Sequence, residues 1–153
     1  MVEALECLGG SGYVEESGLP RLLRESPVNG IWEGSGNVIC LDVLRAITRE
    51  PGALQAFLAE LEEGAKLEPR LAAAVEGIRE ELKDLSTAEV RARRIVERMA
   101  LALQGALLLR HGHPEVAKAF VVSRLGGDWG IAFGTLPRGT DFRAILERHA
   151  LQK

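Results

Sequence analysis

Apolar residues recur along most of the chain at the spacing of helix faces. After Pro51, Leu54, Phe57, Leu58 and Leu61 fall at i, i+3, i+4 and i+7, which predicts an amphipathic helix that starts at that proline. Leu71, Val75, Ile78 and Leu82 repeat the stripe between Glu68 and Lys83. Ser86 with Glu89 forms the S-x-x-E pattern of a capping box and predicts a long helix ending near Gly112. The second half of that helix, from Ile95, is apolar nearly all round, which places it at the centre of a bundle. Earlier, Val38, Ile39, Leu41, Val43, Leu44 and Ile47 predict a well-buried helix from Gly36 to Arg49, with Ser35 as its N-cap. Pro114 opens another helix to about Leu125, the stretch Gly126 to Gly139 reads as loop, and Asp141 to Leu151 as a last short helix.

Residues 1–36 are different. Glycines punctuate them, a short helix spans Pro20 to Glu25, and Pro27 ends it. Met1 to Leu8 reads as the last turns of a helix stopped at Gly9-Gly10. A helix that short is marginal in water alone, so the chain is expected to be a piece of a longer protein. Strand alternation is nowhere convincing. The fold class is therefore all-α, an antiparallel helical bundle with a Gly-rich irregular N-terminal segment.

Charge changes this picture little. Nineteen basic and 22 acidic residues in 153 give a net charge of −3, which argues against coating nucleic acid through bulk charge but leaves a local basic patch open. Cys7 and Cys40 have neither a disulfide framework nor metal-ligand spacing, and read as small apolar fillers in a reducing compartment. The run Met99 to Leu109 contains Gln104 and is too short to span a bilayer, so no membrane partner and a cytoplasmic location are expected.

The stretch NGIWEGSGNVICLDVLRAI, Asn29 to Ile47, sets one carboxylate, Glu33, between Trp32 and Gly34 at the mouth of a helix. Taken alone, that is a surface glutamate in a turn. Upstream, however, stand GGSGY at Gly9 to Tyr13 and LPRLLRES at Leu19 to Ser26. Glu6 to Ile47 as a whole resembles the C-terminal helical domain of the acyl-CoA dehydrogenases. Their pattern is a Gln, then GG-x-G-[YF], a Pro-containing helix with a basic residue, and [YW]-E-G-T before a helix. The variant WEGSGNVICLDVLR is similar to the AidB-like branch, adaptive-response proteins associated with DNA alkylation stress that carry a helical extension after the dehydrogenase core.

The resemblance implies a FAD-dependent enzyme that acts on acyl-CoA and assembles as a homo-oligomer. It implies that residues 1–49 are the end of the dehydrogenase C-terminal helical domain, with its flavin and catalytic loop. Residues 50–153 would then be the helical extension, packed as one unit with the first part. Glu33 matches the catalytic base, a role that suits a carboxylate whose pKa is raised beside an aromatic ring and away from water. Gly9, Gly10 and Gly12 match a loop that touches the flavin of a partner subunit. Ser35 and Asn37 match flavin contacts, and Ser35 can cap its helix as well. Two positions depart from the pattern: Glu6 stands for the usual Gln, and Ser35 for the usual Thr. The family's N-terminal helical and middle β-domains have no counterpart in this sequence, so the isolated chain is expected not to retain FAD and to be inactive.

Three further clusters carry weaker signals. Arg91, Arg94 and Arg98 share a helix face, a possible DNA contact in an AidB-like extension. Against it, Glu89 and Glu97 each stand four residues from Arg93, as local ion pairs would, and no aromatics interleave. The alternative function is thus a non-enzymatic oligomerisation or DNA-binding module, with a solvated or salt-bridged face favoured for the arginines. Arg21 and Arg24 are solvated or pair with Glu25 or Glu15. His111, His113 and Glu115 sit in a helix-ending turn that suits a dipole partner better than a metal, so no metal is expected. Trp129, Phe133 and Phe142 are expected to pin the late loop, or to form an exposed patch.

Overall fold

The computed structural model describes residues 1–32 and 34–149. Nine helices follow one another among these residues: α1 (Val2–Cys7), α2 (Gly10–Tyr13), α3 (Leu19–Glu25), α4 (Gly36–Arg49), α5 (Pro51–Ala65), α6 (Pro69–Lys83), α7 (Ala92–His111), α8 (Pro114–Phe120) and α9 (Phe142–His149). No strand occurs among the described residues. The all-α reading therefore stands. The Gly-rich N-terminal segment is a string of short helices, with single 3₁₀ turns at Glu15–Ser17 and Ser26–Gly30 between and after them. Helix α3 ends at Glu25, before Pro27 as expected, and Pro27 lies inside the second of these turns, where its missing N–H costs nothing.

Helix α7 is the central element, as its all-round apolar half requires. It packs against α4, α5, α6 and α8. Ala92, Ile95, Met99, Ala102, Gly105 and Ala106 are its buried residues. Leu61 of α5 and Leu71, Val75 and Ile78 of α6 meet them, each almost fully removed from water. Burying an aliphatic side chain of this size stabilises by about 1.5–3 kcal/mol relative to exposure, so this cluster is the main driving term for the bundle. Small residues let the helices approach closely. A methyl group added at Gly64 of α5 would stand 2.8 Å from Ala106 of α7, Cα and Cβ alike.

Two expectations about elements need correction. Helix α4 has the expected bounds, but it is not buried all round. Leu44 is in the core and Leu41, Val43 and Ile47 pack against it, whereas Val38 and Ile39 are exposed. The apolar residues of α4 occupy two faces, and only one of them meets α5 and α7. The capping box at Ser86 does not form. The Asp84 carboxylate accepts from both the Ser86 backbone N–H at 2.9 Å and the Ser86 hydroxyl at 2.5 Å, and from the Thr87 hydroxyl. A turn with a 3₁₀ segment, Glu89–Arg91, replaces the first helical turns, and α7 starts at Ala92. An aspartate two residues upstream competes for the cap serine better than the orphan N–H groups do.

At the far end, α8 continues through a π turn, Val121–Leu125, where the buried Ser123 hydroxyl donates to the Ala119 carbonyl at 2.6 Å. The late loop follows. Its anchors are polar: the Glu3 carboxylate of α1 accepts from the Phe133 backbone N–H at 2.8 Å, and the Thr135 hydroxyl donates to the Ala132 carbonyl at 2.7 Å. The Arg124 guanidinium lies over the Trp129 ring, 4.1 Å from its centroid. Phe133 and Phe142 are exposed, so neither ring pins the loop to the bundle, and of the three aromatics Trp129 alone is held, by Arg124. Cys7 is exposed as well, and only Cys40 is partly buried as a filler.

Candidate functional site

The glycine segment and the tryptophan segment are placed by different helices. Gly9 turns the chain between α1 and α2 with φ +55°, a conformation that favours glycine. Gly9 and Gly10 are exposed, and a side chain at either would meet nothing within 4 Å. Gly12 is different: it is buried, and a Cβ there would stand 2.2 Å from the Leu5 carbonyl oxygen. Its glycine is required for α2 to lie on α1, a packing reason that GG-x-G spacing does not reveal. Tyr13 is 81% exposed and borders an open groove of about 490 Å³ with Leu5, Val14, Pro20 and Leu23. Arg24 of α3 holds the Glu15 carboxylate with two parallel bonds of 2.8 and 2.9 Å. That settles the partner of Arg24 as Glu15, and the bonds hold the Glu15 carboxyl below its ordinary range. Glu6 is exposed on α1.

The second segment leads into α4. Glu33 lies outside the described residues. Of its neighbours, Trp32 is 59% exposed, with its indole N–H donating to the Asn29 side-chain carbonyl at 3.3 Å. Gly34 adopts φ +110°, another conformation that few residues other than glycine accept. Ser35 occupies the N-cap position, but its hydroxyl makes no capping bond; only its backbone carbonyl does, accepting from the Ile39 N–H at 3.0 Å. The hydroxyl is thus uncommitted to the helix, contrary to the capping role expected of it. Asn37 is exposed on the first turn. Sequence spacing missed one residue here. Arg93 of α7 reaches over to α4, its guanidinium 3.6 Å from where a Cβ of Gly36 would sit. Only the packing of α7 on α4, 57 positions apart at these residues, brings that charge to the loop.

Gly9, Gly10 and Gly12 are gathered with α3, which α1 and α2 both contact, while Ser35 and Asn37 start a helix that packs on α5 and α7. The groove beside Tyr13 takes no residue of 34–37. The backbone at Gly9 and Gly10 is open and Ser35 makes no side-chain cap bond, whereas Gly12 is committed to packing.

The three arginines considered for DNA converge on one carboxylate, Glu81 of α6. Arg91 pairs with it, Arg94 at 3.0 Å and Arg98 at 2.8 Å. The guanidiniums of Arg94 first, then Arg91 and Arg98, hold the Glu81 carboxyl below its ordinary range. Among the described residues this α6–α7 cluster, and not Glu89 or Glu97, supplies the ion pairs of that face. His113 caps α8, its Nδ1 accepting from the Glu115 N–H at 3.3 Å. No group of histidines, cysteines or carboxylates among the described residues is arranged to hold a metal. No described helix is long and apolar enough to cross a membrane.

Residues 1–48 match the family model of the acyl-CoA dehydrogenase C-terminal domain. The chain is 41% identical over 120 residues to AidB of Escherichia coli (strain K12), a protein named as an acyl-CoA dehydrogenase. That match covers 78% of this chain and 22% of the relative. It is 37% identical over 128 residues to acyl-CoA dehydrogenase family member 11 of Caenorhabditis elegans, covering 71% of this chain and 21% of the relative. The chain thus spans about a fifth of the length of the curated relatives it matches. The similarity runs well past residue 48, farther than the motifs of the first 47 residues reach.

Proposed function

Residues 1–48 carry the acyl-CoA dehydrogenase C-terminal domain in a chain related to AidB, and from that premise we propose that it is the C-terminal part of a FAD-dependent acyl-CoA dehydrogenase. The reading is supported by one observation: Gly34 at φ +110° and Ser35, whose side chain makes no cap bond, lead directly into α4. In the reaction, Glu33 takes the proton α to the thioester carbonyl while a hydride leaves the β-carbon, so the acyl chain gains a double bond. FAD, when bound, supplies the hydride acceptor. Gly9 and Gly10 offer the flavin edge of a partner copy a bare backbone, and Ser35 and Asn37 offer it polar groups.

A carboxylate that removes a weakly acidic carbon-bound proton works best with a raised pKa, which needs a water-poor setting. Trp32 is exposed in this chain. The dry wall must then come from parts of the full-length protein outside residues 1–153, and the isolated chain neither retains FAD nor turns over substrate. Acyl-CoA is the substrate class and a second copy the partner. Residues 1–49 and 50–153 pack as one unit, a reading that the contacts of α4 with α5 and α7 support.

Two measurements test this. The isolated chain, given FAD, butyryl-CoA or isovaleryl-CoA and a dye acceptor, shows no reduction of the dye; turnover would overturn the claim of incompleteness. In the full-length protein, Glu33→Gln abolishes exchange of the α-proton with solvent, and surviving exchange removes Glu33 from the role of base.

A further inference from the structure

A groove of about 410 Å³ runs between α6, α7 and the π turn, on a face that the dehydrogenase reading does not use. Its floor is apolar: Ala73, Ala74 and Gly77 on α6, Leu101 on α7 and Leu125 on the π turn. Three guanidiniums from three elements rim it, those of Arg70, Arg98 and Arg124, and none of the lining residues is acidic. Their charge is incompletely balanced. Arg70 pairs with Glu68 at 3.1 Å, Arg98 shares the Glu81 carboxylate with Arg91 and Arg94, and Arg124 makes no ion pair among the described residues, only its contact with Trp129. The side chain of Arg70 lies against Gly126, the residue after Leu125 of the π turn. The floor has free space, since a Cβ at Gly77 would meet nothing within 4 Å.

The volume falls within the range of small-molecule sites, about 300–1,000 Å³. Guanidiniums recognise carboxylates and phosphates through paired N–H donors, and the floor offers nothing to a polar molecule. We propose that this groove binds a small amphipathic oxyanion, an alkyl or acyl chain lying over Ala73, Ala74 and Gly77 with its phosphate or carboxylate head among Arg70, Arg98 and Arg124. This site is independent of the dehydrogenase reading. Charge alone does not account for it, because an exposed basic face has no need of a bare small-residue floor.

Decyl phosphate, titrated into the chain by calorimetry below its micelle concentration, tests the site. It binds, with inorganic phosphate and decanol each at least tenfold weaker. Decanoate in a parallel titration distinguishes which head the arginines prefer. Arg124→Gln weakens decyl phosphate at least tenfold. Gly77→Leu, which fills the floor and leaves every charge in place, does the same, and Ala73→Leu is a second blocking variant should Gly77→Leu fail to fold by circular dichroism. The proposal is overturned if decyl phosphate does not bind, if inorganic phosphate binds as tightly, or if the blocking variants bind unchanged. It is also overturned if a short DNA duplex binds the wild type and Gly77→Leu alike while decyl phosphate binds neither.

Discussion

Replacing Gly64 with alanine puts a methyl group where α5 has no room for one. The new carbon would stand 2.8 Å from both the Cα and Cβ of Ala106 and 3.0 Å from a Leu71 methyl. Carbon atoms rest comfortably at about 3.5–4.0 Å, so α5 and α7 must part by most of an ångström, and a backbone atom offers no rotamer that gives way. Overpacking of this kind costs about 1–3 kcal/mol. Against it stands the better helix propensity of alanine, about 1 kcal/mol in the middle of a helix. Gly77 supplies the control. It is a mid-helix glycine, whereas Gly64 is the next-to-last residue of α5, and its Cβ position is open, so Gly77→Ala gains the full propensity with no clash. The propensity gain at the helix end is no larger than at Gly77, so the two variants differ by at least the packing cost of about 1–3 kcal/mol. For a domain of this size each kcal/mol moves Tm by about 2–4 °C, so Gly64→Ala melts below Gly77→Ala by at least a few degrees. Thermal and urea unfolding followed by far-ultraviolet circular dichroism reads this. Equal midpoints for the two variants, or a more stable Gly64→Ala, would refute the close approach of α5 and α7.

Other substitutions test the site and its supports. Ser35→Ala costs well under the roughly 1 kcal/mol of a lost N-cap, because the hydroxyl makes no cap bond; a full cap-sized loss in urea unfolding would contradict that. Gly12→Ala, aimed at the Leu5 carbonyl, speeds hydrogen exchange across α1 and α2, while Gly10→Ala leaves it unchanged; similar rates in both would show that Gly12 is not a packing residue. Glu81 titrates lower in the fold than the ordinary 4.5, so its contribution is complete above that pH and is lost as pH falls through the depressed value. Glu81→Gln therefore lowers stability at pH 7, less so in high salt, and flattens the acid limb of a stability–pH curve; an unchanged limb would mean the arginines do not hold it.

What could be read from residue order was local. The bounds of α4, Gly36 to Arg49, match the apolar run that Pro51 closes, though Ser35 marks its start by position and not by a side-chain cap, and the stripes of α5 and α6 follow from period alone. The start of α7 is not legible from spacing, because Asp84 and Glu89 are both acceptors within reach of Ser86 in sequence and spacing does not rank them. The Glu81 cluster joins residues 10 to 17 positions apart across a helix pair, beyond the reach of i+4 arithmetic. The motif glycines were visible but not their division of labour, since only coordinates show that Gly12 abuts Leu5 while Gly9 and Gly10 face open space. Arg93 beside Gly36 is a product of α7 crossing α4, and nothing near either residue announces it.

The bond from the Glu3 carboxylate to the Phe133 N–H spans 130 positions. A cut in the late loop between Leu125 and Phe133 would therefore sever this link from the C-terminal side while leaving α1 packed on α2 and α3, so protease nicking there loosens the first helix without unpacking it from its sequence neighbours.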